Sequence, residues 1–296
     1  MAIAILGRRV LKCALLHHIS RGPSALFPEH TKPLSHSTIL ESVMSFLLNH
    51  PIVLLVVSLV ILWLVSRLGV YFRSLRSEAL SLDETDFNLD LGAVLTLLGL
   101  IIGFTFSMAV IRYDQRKNYE EQEANAIGTE YLRIDVVALP EDSRMRALLR
   151  DYLDQRIVYY TSNDATLLRK TRARTLQLQS SLWSAVLPAT SAQPNAISAL
   201  VMSGMNDVLN AEGYSEAAWR NRIPIAAWIL LLLTATFCNA LLGYHAHGKS
   251  SLLLSVLPVA LAISFFLIAD IDSPRSGIIR VHARNLESLA ESLRPH

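Results

Sequence analysis

Residues 91–111 read LGAVLTLLGLIIGFTFSMAVI, 21 positions without a charged side chain, and the run stops at Arg112-Tyr113-Asp114-Gln115-Arg116-Lys117. As a helix this stretch rises about 30 Å, the thickness of a bilayer's hydrocarbon core. No water reaches the backbone there, so its amide and carbonyl groups must pair within the segment, and a single span of this kind is helical. The chain therefore reads as an integral membrane protein.

Composition agrees. Of 296 residues 52% are apolar and 18% charged, and the mean hydropathy is +0.35. A net charge of +2, with no basic cluster interleaved with aromatics, excludes a nucleic-acid partner. The two cysteines, Cys13 and Cys238, have neither zinc spacing nor the setting of a structural disulfide.

Three more uncharged runs are long enough to cross: 44–66, 223–244 and 250–269. The first is weak at its start, where Asn49, His50 and Pro51 fit the interface, and Pro258 is expected to kink the last. The expected fold is all-α, with four transmembrane helices and a helical cytoplasmic bundle. Its parts are a tail (1–43), two spans (44–111) around an outer loop (67–90), a cytoplasmic helical region (112–222), two more spans (223–271) and a tail (272–296). Orientation follows the basic residues near the span ends. Arg112, Arg116, Lys117, Arg220, Arg222, Arg275, Arg280 and Arg284 lie on one side, against Arg67, Arg73, Arg76 and Lys249 on the other. Both termini of this multi-pass protein are accordingly expected in the cytoplasm.

Segment 112–222 is too long for a loop and reads as helices. The second span continues outward to about Ala138, before Pro140. Met145, Leu148, Leu149, Tyr152, Ile157 and Tyr160 then recur at helical spacing. The next helix spans 165–187 and is expected to stop at Pro188. The one after carries Ile197, Leu200, Val201, Met205, Val208 and Leu209 on one face and breaks at Gly213. The region holds 14 basic and 14 acidic residues, which makes it a neutral bundle rather than a polybasic lipid sensor. Residues 1–43, with Arg8, Arg9, Lys12, Arg21 and Lys32 against only Glu29 and Glu41, read as a disordered tail or a misplaced start ahead of Met44. A transit peptide is the alternative.

No nucleophile elbow, phosphate-binding glycine loop or metal motif is present, so neither an enzyme nor a cofactor is expected. His245-x-His247 sits in a short turn and reads as an exposed pair. Asp270 and Asp272 read as interfacial acids, and Glu120, Glu121 and Glu123 as a solvated face. Glu123 stands apart because Ala124, Asn125, Ala126 and Gly128 beside it allow tight packing; a structural role is expected. In the second span Gly99, Gly103 and Ser107 recur every four residues, a ridge that permits close helix approach. Thr96, Leu100 and Phe104 recur with the same period on an adjoining arc. Such an arc suits a symmetric oligomer with an apolar constriction, although a tightly packed four-span bundle shows the same periodicity.

The stretch Gly103-Phe104-Thr105-Phe106-Ser107-Met108-Ala109-Val110-Ile111-Arg112-Tyr113-Asp114-Gln115-Arg116, with Glu123 to Arg133 after it, resembles a bacterial family of bestrophin-like membrane proteins. So does Asp270-Ile271-Asp272-Ser273-Pro274-Arg275-Ser276-Gly277-Ile278-Ile279-Arg280-Val281. Glu123, Asn125, Gly128, Asp272, Pro274 and Gly277 carry the match. Bestrophin channels are pentamers whose second helices line an anion pore with an apolar neck. The resemblance thus implies a homo-oligomer in the lipid bilayer that passes ions, with Thr96, Leu100 and Phe104 at the neck and Arg112 at the inner end. Thr96 is polar where that neck is apolar, and the acidic calcium-binding cluster of eukaryotic bestrophins is missing after the last span. Calcium gating does not carry over. The competing reading is a non-conducting scaffold or sensor whose cytoplasmic helices bind a partner protein.

Overall fold

The computed structural model describes residues 36–75, 84–136, 142–192, 195–246 and 251–294. The expectations for residues 1–35, for Pro140 and for His247 lie outside them. The described residues from Ser42 onward form one compact unit. The described residues hold nine helices and no strand: α1 (His36–Asn49), α2 (Pro51–Leu75), α3 (Glu84–Val136), α4 (Asp142–Thr161), α5 (Ala165–Ala192), α6 (Ala196–Arg220), α7 (Ile225–His245), α8 (Ser251–Asp272) and α9 (Arg284–Ser292).

Among the described residues four runs are long and apolar enough to cross a membrane: Pro51–Ser74, Leu89–Asp135, Leu254–Asp272, and Ala196–His245, whose apolar part is α7. The expected first span divides at His50. Proline lacks the N–H that a first turn leaves unpaired anyway, so Pro51 starts a new helix without losing a bond. Met44 and Leu48, on the preceding helix, are buried.

The spine is α3, 53 residues in one helix and about 80 Å long. It carries two cores in succession. In the first, Leu98 and Ala109 meet Leu54 and Leu62 of α2, Trp228, Leu231 and Cys238 of α7, and Leu261 and Phe265 of α8. In the second, Ile127 and Ile134 meet Met145 and Tyr152 of α4, Leu178 and Leu182 of α5, Val201, Met205 and Val208 of α6, and Leu286 of α9. Tyr113 packs against both.

The expected outer loop (67–90) is helical at both ends, α2 running on to Leu75 and α3 starting at Glu84, and the helices depart from the sequence expectation in three further places. Helix α5 runs through Pro188 to Ala192. The proline removes the bond to the Ser184 carbonyl, but Ser184 is exposed and near the helix end, where water replaces the lost donor. Helix α6 runs through Gly213 to Arg220, and the break falls at residues 221–224. An interior glycine costs only about 1 kcal/mol, and the burial of Ser215, Ala218 and Trp219 beyond it outweighs that. Residues 272–296 are more than a tail: Val281, Ala283 and Leu286 enter the second core.

Helices α2 and α7 cross closely enough that side chains are excluded at the contact. A Cβ on Gly243 would collide with the Ser66 carbonyl, and one on Gly69 with the Ala240 carbonyl. Gly213, by contrast, faces open space. Two substitutions therefore have opposite expected signs. Gly243→Val should destabilise by about 3 kcal/mol or more through overpacking. Gly213→Ala should stabilise by about 0.5–1 kcal/mol by restricting the unfolded chain. Thermal unfolding in detergent, followed by tryptophan fluorescence, reads both.

Candidate functional site

Helices α2, α7 and α8 turn bulky apolar side chains outward. On α2 these are Ile52, Val56, Val60, Ile61, Leu64 and Leu68; on α7, Ile229, Leu230, Leu233 and Phe237; on α8, Val256, Val259 and Ile263. Large aliphatic groups are what hydrocarbon solvates best. Helix α3 differs. Its exposed positions in the apolar run include Gly92, Ala93, Thr96, Gly99, Gly103 and Ser107, beside Leu100, Phe104 and Ile111. At about 100° per residue, Gly99, Gly103, Thr96, Ser107, Leu100 and Phe104 share one arc of about 140°. Nothing lies within 4 Å of a Cβ built on Gly92, Gly99 or Gly103, so among the described residues these glycines pack on no other helix. Only 17% of the most apolar window of α3 is buried, against 50% for α8, so α3 is the span with most surface left to cover.

Arg112 stands apart from that arc, about 150° around the helix. Its Nη1 lies 4.0 Å from Asp272 Oδ1, and its side chain is 17% exposed. Asp272 also accepts the Ile223 N–H on both carboxylate oxygens, at 3.2 Å each. The buried Arg116 donates to the carbonyls of Ile271 (3.3 Å) and Asp272 (3.2 Å). Together these contacts bind the lower end of α8 to α3. Asp270 accepts the N–H groups of Ile278 (2.7 Å) and Ile279 (2.9 Å), closing the turn after α8. Gly277 is required in that turn because a Cβ there would collide with the Asp270 carbonyl. Pro274 is buried in the same turn.

Further along α3 the arc becomes polar. Asp114, Asn118, Glu121 and Asn125 are exposed on it, while Gly128 lets α9 approach: a Cβ there would stand 3.0 Å from Leu289 Cδ1.

Glu123 faces inward and is fully buried. It forms an ion pair with the Arg156 Nε of α4, and accepts from Arg156 Nη2 at 3.4 Å and from the Tyr160 hydroxyl at 3.2 Å. Arg156 Nη2 also donates to Ser215 Oγ at 2.9 Å, and its Nη1 lies 3.6 Å from Glu212. Tyr159 covers the guanidinium at 4.4 Å. Burial opposes the charge on Arg156, but the Glu123 carboxylate outweighs it and holds the guanidinium well above its ordinary pKa. Burial first, and Glu123 second, push the Tyr160 hydroxyl up. The cluster ties α3, α4 and α6 into one body.

The sequence reading identified Glu123 and missed Arg156, Arg116, Glu120, Glu130 and the turn-forming Asp270. The available signal was spacing: Arg116, Glu120, Glu123, Ile127, Glu130 and Ile134 follow a three-and-four pattern continuous with Leu98, Thr105 and Ala109. Among the described residues no group of three or more His, Cys, Asp or Glu could hold a metal ion.

Removing one member of the buried pair strands the other without solvent. Arg156→Met and Glu123→Met should each destabilise by about 3–5 kcal/mol, and the double replacement by less than their sum. Thermal unfolding of the three variants checks this.

The Bestrophin-like domain model matches residues 52–286. No curated protein matches. The fold is similar to that of a bacterial Bestrophin homolog from Klebsiella pneumoniae. One of its crystal structures aligns with a TM-score of 0.60 at 14% identity, covering 81% of this chain and 97% of that one. A second aligns at 0.58 and 15%, covering 80% and 95%. A further structure, described as a membrane protein, aligns at 0.62 and 14%, covering 80% and 96%. At such identities the likeness shows a shared fold, and the domain match spans most of the chain. This chain is an integral membrane protein of the bestrophin-like family.

Proposed function

We propose that the protein is a homo-oligomeric ion channel in which copies of α3 surround a common axis, with Thr96, Leu100 and Phe104 lining the passage. One observation carries this reading. The exposed face of α3 carries Gly92, Ala93, Thr96, Gly99, Gly103 and Ser107 among Leu97, Leu100, Phe104, Phe106 and Ile111, whereas the exposed faces of α2, α7 and α8 are mostly bulky. Small residues on a membrane helix favour close approach of another helix over contact with lipid. Copies meeting along Gly99, Gly103 and Ser107 would turn Leu100 and Phe104 to a narrow apolar constriction of the kind that gates by dewetting. The bestrophin resemblance implies a pentamer. The basic residues near the span ends favour both termini in the cytoplasm, and the resemblance to a bacterial family favours the bacterial inner membrane as the location. No step of this function calls for catalysis.

The charge on the arc bears on which ions pass. Arg112 is turned away and paired with Asp272, while Asp114 and Glu121 lie exposed near the middle of the arc and Lys117 at its edge. In an oligomer each of the two acids would form a ring of carboxylates at the mouth, raising the local concentration of cations. The reading is thus a cation-preferring passage.

Planar-bilayer recording of the purified protein tests it. A KCl gradient should give a reversal potential on the potassium side of zero. Asp114→Asn with Glu121→Gln should lower the potassium-to-chloride permeability ratio at least about twofold, and Phe104→Ala should raise conductance. A monomer in mild detergent, or silent bilayers with both wild type and Phe104→Ala, would refute the channel. Silence combined with a stable oligomer would favour the scaffold, whose cytoplasmic helices expose Leu132, Leu176 and Leu200.

A further inference from the structure

We propose that a cavity between α3 and the segment entering α9 binds a phosphate-bearing anion at the membrane surface. Its volume is about 260 Å³, and Tyr113, Lys117, Glu120, Arg280, His282 and Arg284 stand on its wall. The segment supplies three of these. Val281 and Ala283 are buried in the second core, and Arg280, His282 and Arg284 beside them line the cavity with Lys117 of α3.

Charge on the wall is unbalanced. Lys117, Arg280 and Arg284 are cationic, and Glu120 is the lone carboxylate. That carboxylate is already committed. Its Oε1 accepts the N–H groups of Asn285 (2.9 Å) and Leu286 (3.0 Å), and its Oε2 accepts from Asn285 Nδ2 at 2.6 Å. Glu120 thereby fixes the first turn of α9 and leaves the cations to a ligand. Arg280 is held in place from behind. Its Nε donates to the Gly277 carbonyl at 2.5 Å, and Asn163 accepts from its Nη1 at 2.8 Å once that amide is oriented to donate to the Arg275 carbonyl. Its Nη2 remains for a ligand. Lys117, His282 and Arg284 make no hydrogen bond or ion pair among the described residues.

Depth narrows the ligand class. Lys117 lies six residues beyond Ile111, about 9 Å along the helix. The polar headgroup layer extends about 5–8 Å beyond the hydrocarbon on each side. A lipid phosphate is therefore within reach, as is a soluble phosphate entering from the water. Lysine and arginine donors around a small cavity suit the three terminal oxygens of a phosphate group. Lys117 stands at the edge of the exposed arc, in line with Gly99 at about 100° per residue, while the other wall residues lie off that arc; binding of an anion here does not depend on conduction.

The test uses full-length protein stripped of lipid in a neutral detergent. Short-chain phosphatidylglycerol, short-chain phosphatidylcholine and inorganic pyrophosphate are titrated separately, with binding followed by native mass spectrometry. Lys117→Gln combined with Arg284→Gln should weaken binding about tenfold or more. Arg169→Gln combined with Lys170→Gln, which removes the same charge from exposed positions on α5, should leave binding within about twofold. Lys117→Arg should retain it. Selective binding of phosphatidylglycerol identifies a lipid headgroup, and selective binding of pyrophosphate a soluble anion. If wild type binds none of the three, or both double variants lose affinity equally, the site is refuted.

Discussion

An unbroken helix cannot change phase. Over the 53 residues of α3 the rotational position of each side chain is set by all the others. The face that buries Leu98, Thr105 and Ala109 against the other spans is therefore the face that buries Arg116, Glu120, Glu123, Ile127, Glu130 and Ile134 outside them. The opposite face is committed in the same way. Once Gly99 and Gly103 point away from the chain within the apolar run, Asp114, Glu121 and Asn125 must do so beyond it. One rigid element thus couples what happens in lipid to what happens in water, and no side chain along it can be reassigned alone.

This coupling explains why the water-exposed half of the spine is so rich in buried charge. Within hydrocarbon a helix is held by close packing, as at Gly69 and Gly243. Outside it, the same face must hold α4, α6, α8 and α9 in set positions around a helix that has no break to index them. Charged groups with defined partners do this with greater directional precision than aliphatic contacts. Glu120 receives the first turn of α9, Glu123 receives Arg156, and Arg116 receives the carbonyls that end α8. Each is costly to bury and each is met by several donors or acceptors. Such a set confers orientation more than net stability.

The membrane half of the fold was legible in the sequence, because length and the absence of charge are enough to mark a span. The long helical segment was legible as helix, but not in its ends. Pro188 and Gly213 are local signals, and the burial of Ser215, Ala218 and Trp219 that carries α6 past a glycine is tertiary. The candidate site was legible in part. Periodicity put Thr96, Leu100, Phe104, Gly99, Gly103 and Ser107 on one arc of α3, and those positions are exposed. Position alone, carried over from resemblance, put Arg112 with them. Its azimuth argues otherwise, since counting at about 100° per residue puts it nearly opposite, where Asp272 waits. Arg156 was hidden for a different reason. A lone arginine on an amphipathic helix reads as solvated until its carboxylate, 33 residues away, is brought to it.

Arg112 and Asp272 also show how the two aqueous ends of the spans are joined. Asp272 closes α8, accepts the backbone N–H of Ile223 just before α7, and faces Arg112 where α3 leaves the apolar run. Three spans are therefore fastened at one level by one carboxylate. Just beyond it, Arg275 donates to the carbonyls of Tyr159 (2.8 Å) and Ser162 (2.9 Å) at the end of α4. Burial lowers the pKa of that guanidinium, but its two carbonyl acceptors and the faces of Tyr159 and Trp219, at 4.7 and 4.3 Å, satisfy its charge. The short stretch from Asp270 to Gly277 thus fastens the membrane core to the aqueous core within eight residues.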